Sequence, residues 1–179
     1  MGHLERTFAA EVKRSFEGVG FYCKIPDVPI FDNSPLRFGG PVKPFDAFAL
    51  VRGQALALEY KAVRGRKSLP FDVLTEAQEQ GLLEFEKAGG KSFVLVCYRG
   101  RKKGDMRAFA IPIQRWIQLR ETISRNSLPY GFWSDGGVIE LPRLSGGRWG
   151  IRGLLRSGGG GGKRRHIACY GLRREGASG

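Results

Sequence analysis

The sequence predicts an α/β protein in which one β-sheet is covered by helices on both faces. Helical and strand patterns follow one another in the order α-β-ββ-α-ββ-α. The predicted strands are apolar on both sides, which is typical of a sheet that is buried on both faces. With 179 residues, of which 41% are hydrophobic, the chain is long enough to bury such a core.

The first predicted elements are a helix, a short strand and a long loop. Residues 4–19 carry apolar side chains at steps of three and four, which is the spacing of an amphipathic helix. The stretch 21–25 is typical of a short strand. Residues 26–44 contain five prolines and a pair of glycines, so we expect an irregular loop there. Loops of this length in compact domains are usually functional or mobile.

A β-hairpin and a second helix are predicted next. The apolar segments 45–51 and 55–63 are joined by a short turn, in which Gly53 can take a positive φ. The second helix is predicted to begin after Thr75, because threonine is a good N-cap and acidic residues follow it. It is predicted to end at the glycine pair 89–90.

The remaining pattern divides the chain into a core and an extension. Strands are predicted at 92–98 and 106–113 and a helix at 113–125, which completes a core over residues 1–126. After that point prolines and glycines interrupt the pattern. We expect residues 127–156 to form an irregular extension of the core, with small strands as the alternative.

The charge of the chain predicts a polyanionic partner. Lysine and arginine number 30 against 17 acidic residues, and nine of the basic residues lie in residues 143–179 beside one acid. Nucleic acid and an anionic membrane would both suit this excess. Residues 157–179 are expected to be a disordered basic tail, because they hold too few apolar residues to fold. With neither a long apolar run nor an apolar start, we expect a cytoplasmic protein without a membrane partner.

Asp46, Glu59 and Lys61 are the clearest candidate site. Glu59 and Lys61 lie two residues apart in a predicted strand and so share a face, and the hairpin brings Asp46 beside them. Such charges on an apolar face are costly to bury unless they are compensated, and a divalent metal would do this. Hard oxygen ligands suit Mg²⁺, which could activate water at a phosphodiester, with Lys61 orienting the water or stabilising the oxyanion. The alternative is a surface ion pair with Asp46 capping a loop.

These residues resemble the PD-(D/E)xK nuclease signature, as PFD ending at Asp46 and EYK from Glu59 to Lys61. The stretch 43–97, which includes RKSLP at 66–70, is similar to RecU-type Holliday junction resolvases, of which the archaeal Hjc enzymes are shorter relatives. The resemblance implies a restriction-endonuclease-like mixed β-sheet flanked by helices. It also implies a homodimeric endonuclease that resolves four-way junctions by paired nicks, in a bacterial, archaeal or phage-infected cell. Its metal would be Mg²⁺, with Mn²⁺ as a substitute and no small-molecule cofactor.

The resemblance also assigns roles to single residues. Asp46 and Glu59 become metal ligands and Lys61 the catalytic lysine. Gln78 becomes a catalytic helper on the second helix, with an exposed helix glutamine as the alternative.

The first helix departs from the family pattern. RecU-like members carry an acid directly after a phenylalanine, whereas Ala9 follows Phe8 here. We prefer Glu5 as the first-helix acid, because it lies one turn earlier on nearly the same face, over Glu11 on the opposite flank.

Two basic clusters and the proline-rich loop are candidate DNA-binding elements. The clusters would contact backbone phosphates without reading sequence, or else form a solvated surface. Their members are Arg64, Arg66, Lys67, Arg99, Arg101, Lys102 and Lys103. Residues 26–44 stand where RecU enzymes carry a projecting stalk, and would enter the junction, line a dimer surface or fold over the core.

Two other functions fit the same residues. The first is a restriction-like or repair endonuclease that cuts linear duplex DNA. The second is a non-catalytic, basic DNA-binding accessory protein of recombination, which the missing acid after Phe8 would suit.

Overall fold

A computed structural model describes residues 2–26, 43–100, 105–131, 133 and 136–156 of the chain. Ten strands and four α-helices lie in these residues. The strands are β1 (Phe21–Lys24), β2 (Ala47–Val51), β3 (Gln54–Arg64), β4 (Leu69–Pro70), β5 (Lys91–Arg99), β6 (Met106–Pro112), β7 (Ser127–Leu128), β8 (Ile139–Leu141), β9 (Arg143–Leu144) and β10 (Arg148–Trp149). The helices are α1 (His3–Phe16), α2 (Glu76–Lys87), α3 (Ile113–Thr122) and α4 (Arg152–Arg156).

Six of the strands form a mixed sheet in the order β1-β2-β3-β5-β6-β8. All neighbours are antiparallel except the central pair β3 and β5, which α2 connects by a crossover. Helices α1 and α4 cover one face, where Leu58 and Tyr60 are buried. Helices α2 and α3 cover the other, where Ala57 and Val96 are buried. The predicted fold class, a mixed sheet flanked by helices, is confirmed.

The hairpin and the second helix begin and end close to the predicted positions. Strands β2 and β3 are joined by a two-residue turn, Arg52 and Gly53, with φ of 50° and 79°. Positive φ at both central residues is the geometry of a type I′ hairpin turn, and glycine takes it without strain. Thr75 caps α2, since its Oγ1 accepts a hydrogen bond from the backbone N–H of Gln78 at 3.3 Å.

Residues 127–156 contain small strands, which was the alternative that the sequence left open. Strand β8 pairs with β6 and becomes the sixth strand of the sheet. Trp149, Ile151 and Leu154 are buried in the core beside α1. A three-residue strand is too short for a periodic sequence signal, so its pairing depends on the free edge of β6.

Several predicted segments lie outside the described residues. They include most of the loop expected at 26–44, the basic residues 101–103 and the tail expected at 157–179. In the part of the chain that the structure describes, no helix combines the length and the apolar composition of a membrane span.

Candidate active site

The hairpin places Asp46 opposite Glu59. Asp46 directly precedes β2, and its backbone N–H donates to the carbonyl of Leu58 at 3.1 Å. Its Oδ2 accepts a hydrogen bond from the backbone N–H of Tyr60 at 2.9 Å, which fixes the carboxylate against β3. Asp46 is 4% exposed and Glu59 1% exposed. The sheet therefore buries two carboxylates next to each other.

Lys61 and Gln78 bind the same oxygen of Glu59. Lys61 Nζ lies 2.9 Å from Glu59 Oε1, and Gln78 Nε2 donates to that oxygen at 2.6 Å. Lys61 Nζ also donates to Gln78 Oε1 at 3.4 Å. The structure thus brings Gln78 into the predicted cluster, although the residue stands on a different element.

Gln78 reaches the cluster because α2 begins and packs in a particular way. Its Oε1 also accepts from the backbone N–H of Thr75 at 3.1 Å, so one side chain closes the capping box and binds Lys61. Further along α2, a Cβ atom at Gly81 would lie 2.7 Å from the backbone oxygen of Pro44. Glycine therefore allows α2 to approach the segment that carries Asp46.

The two oxygens of Glu59 have unequal surroundings. Oε1 has two partners, whereas Oε2 is buried and has no hydrogen-bond partner among the described residues. Burial and the negative charge of Asp46 raise the pKa of Glu59 to about 7, and Lys61 opposes this shift. An unpaired buried oxygen is costly, so Oε2 is the atom of the site that a further partner, such as a cation, would stabilise.

Lys43 is a member of the site that the sequence analysis missed. Its Nζ lies 2.6 Å from Asp46 Oδ1, and its side chain is 15% exposed. The only signal in the sequence is a lysine three residues before Asp46. The site thus holds two carboxylates and two ammonium groups.

The donor set fits a magnesium ion. Among the described residues there is no group of three or more His, Cys, Asp and Glu side chains with the spacing of a metal cage. Mg²⁺ does not require one, since it usually keeps several waters and takes one or two protein carboxylates. Asp46 and Glu59 supply these two, and Glu59 Oε2 is unpaired.

The two acidic candidates on α1 lie in different surroundings. Glu5 Oε2 accepts from the backbone N–H of Gly2 at 2.8 Å, and Glu5 lines a groove of about 420 Å³ together with Lys61. Glu11 is buried beneath Arg143, whose two Nη atoms donate to it at 2.9 and 3.3 Å. The structure therefore puts Glu5, and not Glu11, beside the candidate site, though without a described contact to Asp46 or Glu59.

The predicted basic clusters are split between surface and interior. Arg64 and Lys67 are exposed and line the groove that contains Lys61. Arg66 is exposed, with its guanidinium carbon 5.6 Å from the ring centroid of Tyr130. Arg99 is only 15% exposed, and its Nη2 lies 3.2 Å from a Glu11 oxygen.

Comparison with known proteins gives a likeness to solved structures only. No protein-family model matches the chain, and no curated protein matches it. Among solved structures, the chain is similar to Hjc of Archaeoglobus fulgidus, a Holliday junction resolvase from an archaeal hyperthermophile. The two are 17% identical over 68% of this chain and 84% of that one, with a TM-score of 0.41. The function of this chain is therefore inferred from the geometry of its own site.

Proposed function

We propose that the protein is a Mg²⁺-dependent endonuclease that cuts four-way DNA junctions, with Asp46, Glu59 and Lys61 in its active site. The nuclease proposal depends mainly on the buried pair of carboxylates, in which Glu59 Oε2 has no partner among the described residues. Burying two carboxylates side by side is expensive unless positive charge compensates them. Lys43 and Lys61 each bind one carboxylate oxygen and balance the two charges, whereas Glu59 Oε2 has no partner among the described residues and would accept a divalent ion, Mg²⁺ or Mn²⁺.

Each residue of the site has a definite chemical task. Asp46 and Glu59 would hold the ion, which would supply a bound water of lowered pKa and positive charge next to a phosphodiester. Lys61 adds a fixed ammonium group, which stabilises negative charge as it develops on the phosphoryl oxygens. Gln78 binds both Glu59 and Lys61 and so keeps the two side chains in one arrangement.

The DNA would approach along the groove next to Lys61. Arg64 and Lys67 are exposed in its lining and would contact backbone phosphates, and Arg66, exposed in the same loop, is a further candidate. Glu5 lines the same groove and is the remaining candidate for a third carboxylate. For Arg99, held by Glu11, and for residues 101–103, phosphate contact stays a prediction from the sequence.

The junction preference is supported by the sequence resemblance of residues 43–97 to RecU-type resolvases. A four-way junction has approximate two-fold symmetry, so a C₂ homodimer would supply one active site for each of two cut strands. Recognition would depend on the shape of the junction and on its backbone. Hydrolysis would leave 5′-phosphate and 3′-hydroxyl ends, as in the resembling family.

The direct test compares a labelled immobile junction with a linear duplex of the same sequence, in Mg²⁺ or in EDTA. We expect symmetric nicks near the branch point in Mg²⁺ and no nicks in EDTA. Glu59→Ala and Asp46→Asn should bind the junction without cutting it. Glu84→Ala is the matched control, because Glu84 is an exposed acid on α2, and it should cut normally.

The other outcomes select the alternatives. Equal cleavage of the linear duplex would keep the nuclease and remove the junction preference. Junction binding without any cutting by the wild type would favour a non-catalytic accessory protein. Cutting by Asp46→Asn would rule out the proposed active site.

A further inference from the structure

A second groove, which we call the arginine groove, lies at the other end of the sheet. It encloses about 1400 Å³ between the end of α1, the β2–β3 turn and the segment Pro142–Arg156. Its lining includes four arginines, Arg52, Arg148, Arg152 and Arg156. Arg52 precedes β3, and Glu59 lies five residues beyond the start of that strand, at about 17 Å given the 3.3 Å rise of a strand residue. The groove is therefore separate from the candidate active site.

The positive charge of the arginine groove is largely uncompensated. All four arginines are exposed, and none forms an ion pair with another described residue. Four further arginines of the described chain do have carboxylate partners, namely Arg99, Arg107, Arg120 and Arg143. Of the two acids in the lining, Glu140 is paired with Arg107 at 2.9 Å, which leaves Glu17.

The chemistry of these side chains selects a phosphate ligand. Arginine presents a planar fork of donors that matches phosphate oxygens and binds them in pairs. The sequence that follows Arg156 adds five further basic residues and one acid, so positive charge continues from the groove along the chain. A repeated anion, such as a nucleic-acid backbone with one phosphate every 3.4 Å along each strand, uses such a surface better than a single small anion.

We infer that the arginine groove binds the sugar–phosphate backbone of duplex DNA away from the point of cleavage. The choice of DNA as the polyanion rests on the proposed function, whereas the groove and its charge do not. Val19 and Leu144, each 47% exposed, add apolar surface in the same lining that sugar carbons can contact. The groove would hold the duplex without reading its sequence.

The test measures how salt weakens duplex binding. Affinity for a fluorescein-labelled 30-base-pair duplex is measured by anisotropy in EDTA, over a range of KCl concentrations. The logarithm of the binding constant falls as the logarithm of the salt concentration rises. Each of Arg52→Gln and Arg152→Gln should make this slope shallower by about 1, and the double variant by about 2. Lys87→Gln is the matched control, because it removes one exposed charge from the end of α2 on the opposite face, and its slope should equal that of the wild type.

The outcomes separate this inference from the proposed function. If the groove variants keep the wild-type slope while Mg²⁺-dependent junction cutting is intact, the inference is wrong and the nuclease stands. If the wild type cuts nothing but the groove variants lower the slope, the inference stands and the nuclease is wrong. If the groove variants lose binding of a poly-glutamate peptide and not of DNA, the groove serves an acidic protein and the inference is overturned.

Discussion

At the scale of single residues, the site contains a carboxyl group, that of Glu59, whose pKa lies near neutral pH. Glu59 is buried beside Asp46, and these surroundings raise its pKa to about 7. Lys61 and Gln78 bind one of its oxygens, and the other has no described partner. The protonation of Glu59 therefore changes within the neutral pH range.

The first prediction concerns Mg²⁺ affinity. Because the metal binds the ionised carboxylate, protons compete with it below the pKa of Glu59. We expect affinity to rise by about tenfold per pH unit between pH 5.5 and 7 and to level off above that. Calorimetric titration of the wild type and of Glu59→Gln measures this, and the variant should lack the pH dependence. Equal affinity of the wild type at pH 5.5 and pH 8 would contradict the assignment.

The second prediction concerns stability without metal. The folded protein holds a proton on Glu59 up to about pH 7, whereas the unfolded chain releases it near the ordinary value of 4.5. Between these values the folded state binds more protons, so this group lowers the free energy of unfolding as pH rises. Urea unfolding in EDTA measures the free energy of unfolding at pH 5 and at pH 8. Its decrease between the two pH values should be smaller for Glu59→Gln than for the wild type. Glu84→Gln, at an exposed position, should behave as the wild type does.

At the scale of elements, the start of α2 combines helix capping with contacts to the candidate site. Gln78 occupies the third helical position, where its side chain closes the capping box with Thr75. The same side chain binds Glu59 and Lys61 on β3. The N-terminus of the helix and the candidate site are therefore held by one residue.

The third prediction follows from this shared residue. Thr75→Ala removes the acceptor for the Gln78 backbone N–H and should lower the free energy of unfolding by about 1 kcal/mol. It should also slow junction cleavage at saturating substrate, because Gln78 is held less firmly. Thr75→Ser keeps the hydroxyl and should restore both properties. Normal cleavage by a destabilised Thr75→Ala would show that the cap does not orient Gln78.

The fourth prediction concerns the packing of α2 against the segment before β2. A methyl group at Gly81 would meet Pro44, including its backbone oxygen at 2.7 Å, so Gly81→Ala must displace either the helix or that segment. We expect a loss of about 1–3 kcal/mol in stability, as for other overpacked sites, and slower cleavage because Gln78 moves from Glu59. Ala77→Gly, on the same helix, is a control for helix propensity and should not affect cleavage. Unchanged unfolding and cleavage in Gly81→Ala would contradict this packing.

At the scale of the whole molecule, Glu11 on α1 binds two residues of the segment 143–149 and so connects it to the core. Its carboxylate accepts hydrogen bonds from Arg143 and from Trp149 Nε1 at 3.1 Å, and pairs with Arg99 of β5. Burial by itself raises the pKa of Glu11, but these bonds and charges outweigh it and lower the pKa. Ser15 adds a further tie, because its Oγ accepts from the backbone N–H of Trp149 at 2.8 Å.

The fifth prediction tests this connection. Glu11→Gln leaves Arg99 and Arg143 without their carboxylate, which should lower the free energy of unfolding by about 3–5 kcal/mol. Thermal unfolding followed by circular dichroism measures the change. Glu17→Gln, at an exposed position just after α1, should have little effect. If Glu11→Gln lowered the free energy of unfolding no more than Glu17→Gln does, the contacts of Glu11 with Arg99 and Arg143 would not stabilise the fold.

The sequence predicted the fold class and the hairpin because both depend on local patterns. Alternating positions in β3 put Glu59 and Lys61 on one face, and a threonine before acidic residues starts α2. Small strands in residues 127–156 were one of two alternatives, but the pairing of β8 with β6 was not predicted, since a three-residue strand gives no periodic signal. Gly81 was an available signal that was not used, because a glycine inside a helix often marks close packing.

By itself the sequence determined the order of the elements, the residues of the shared strand face and the positive charge of the chain. Only the tertiary structure decided which side chains meet across long separations. It joined Gln78 to Glu59 and Glu11 to Arg143, and it assembled the arginine groove from distant segments. The physical reason is the sequence distance over which each effect acts. Periodicity and helix caps depend on residues a few positions apart, whereas burial and charge pairing depend on how the layers of the fold pack.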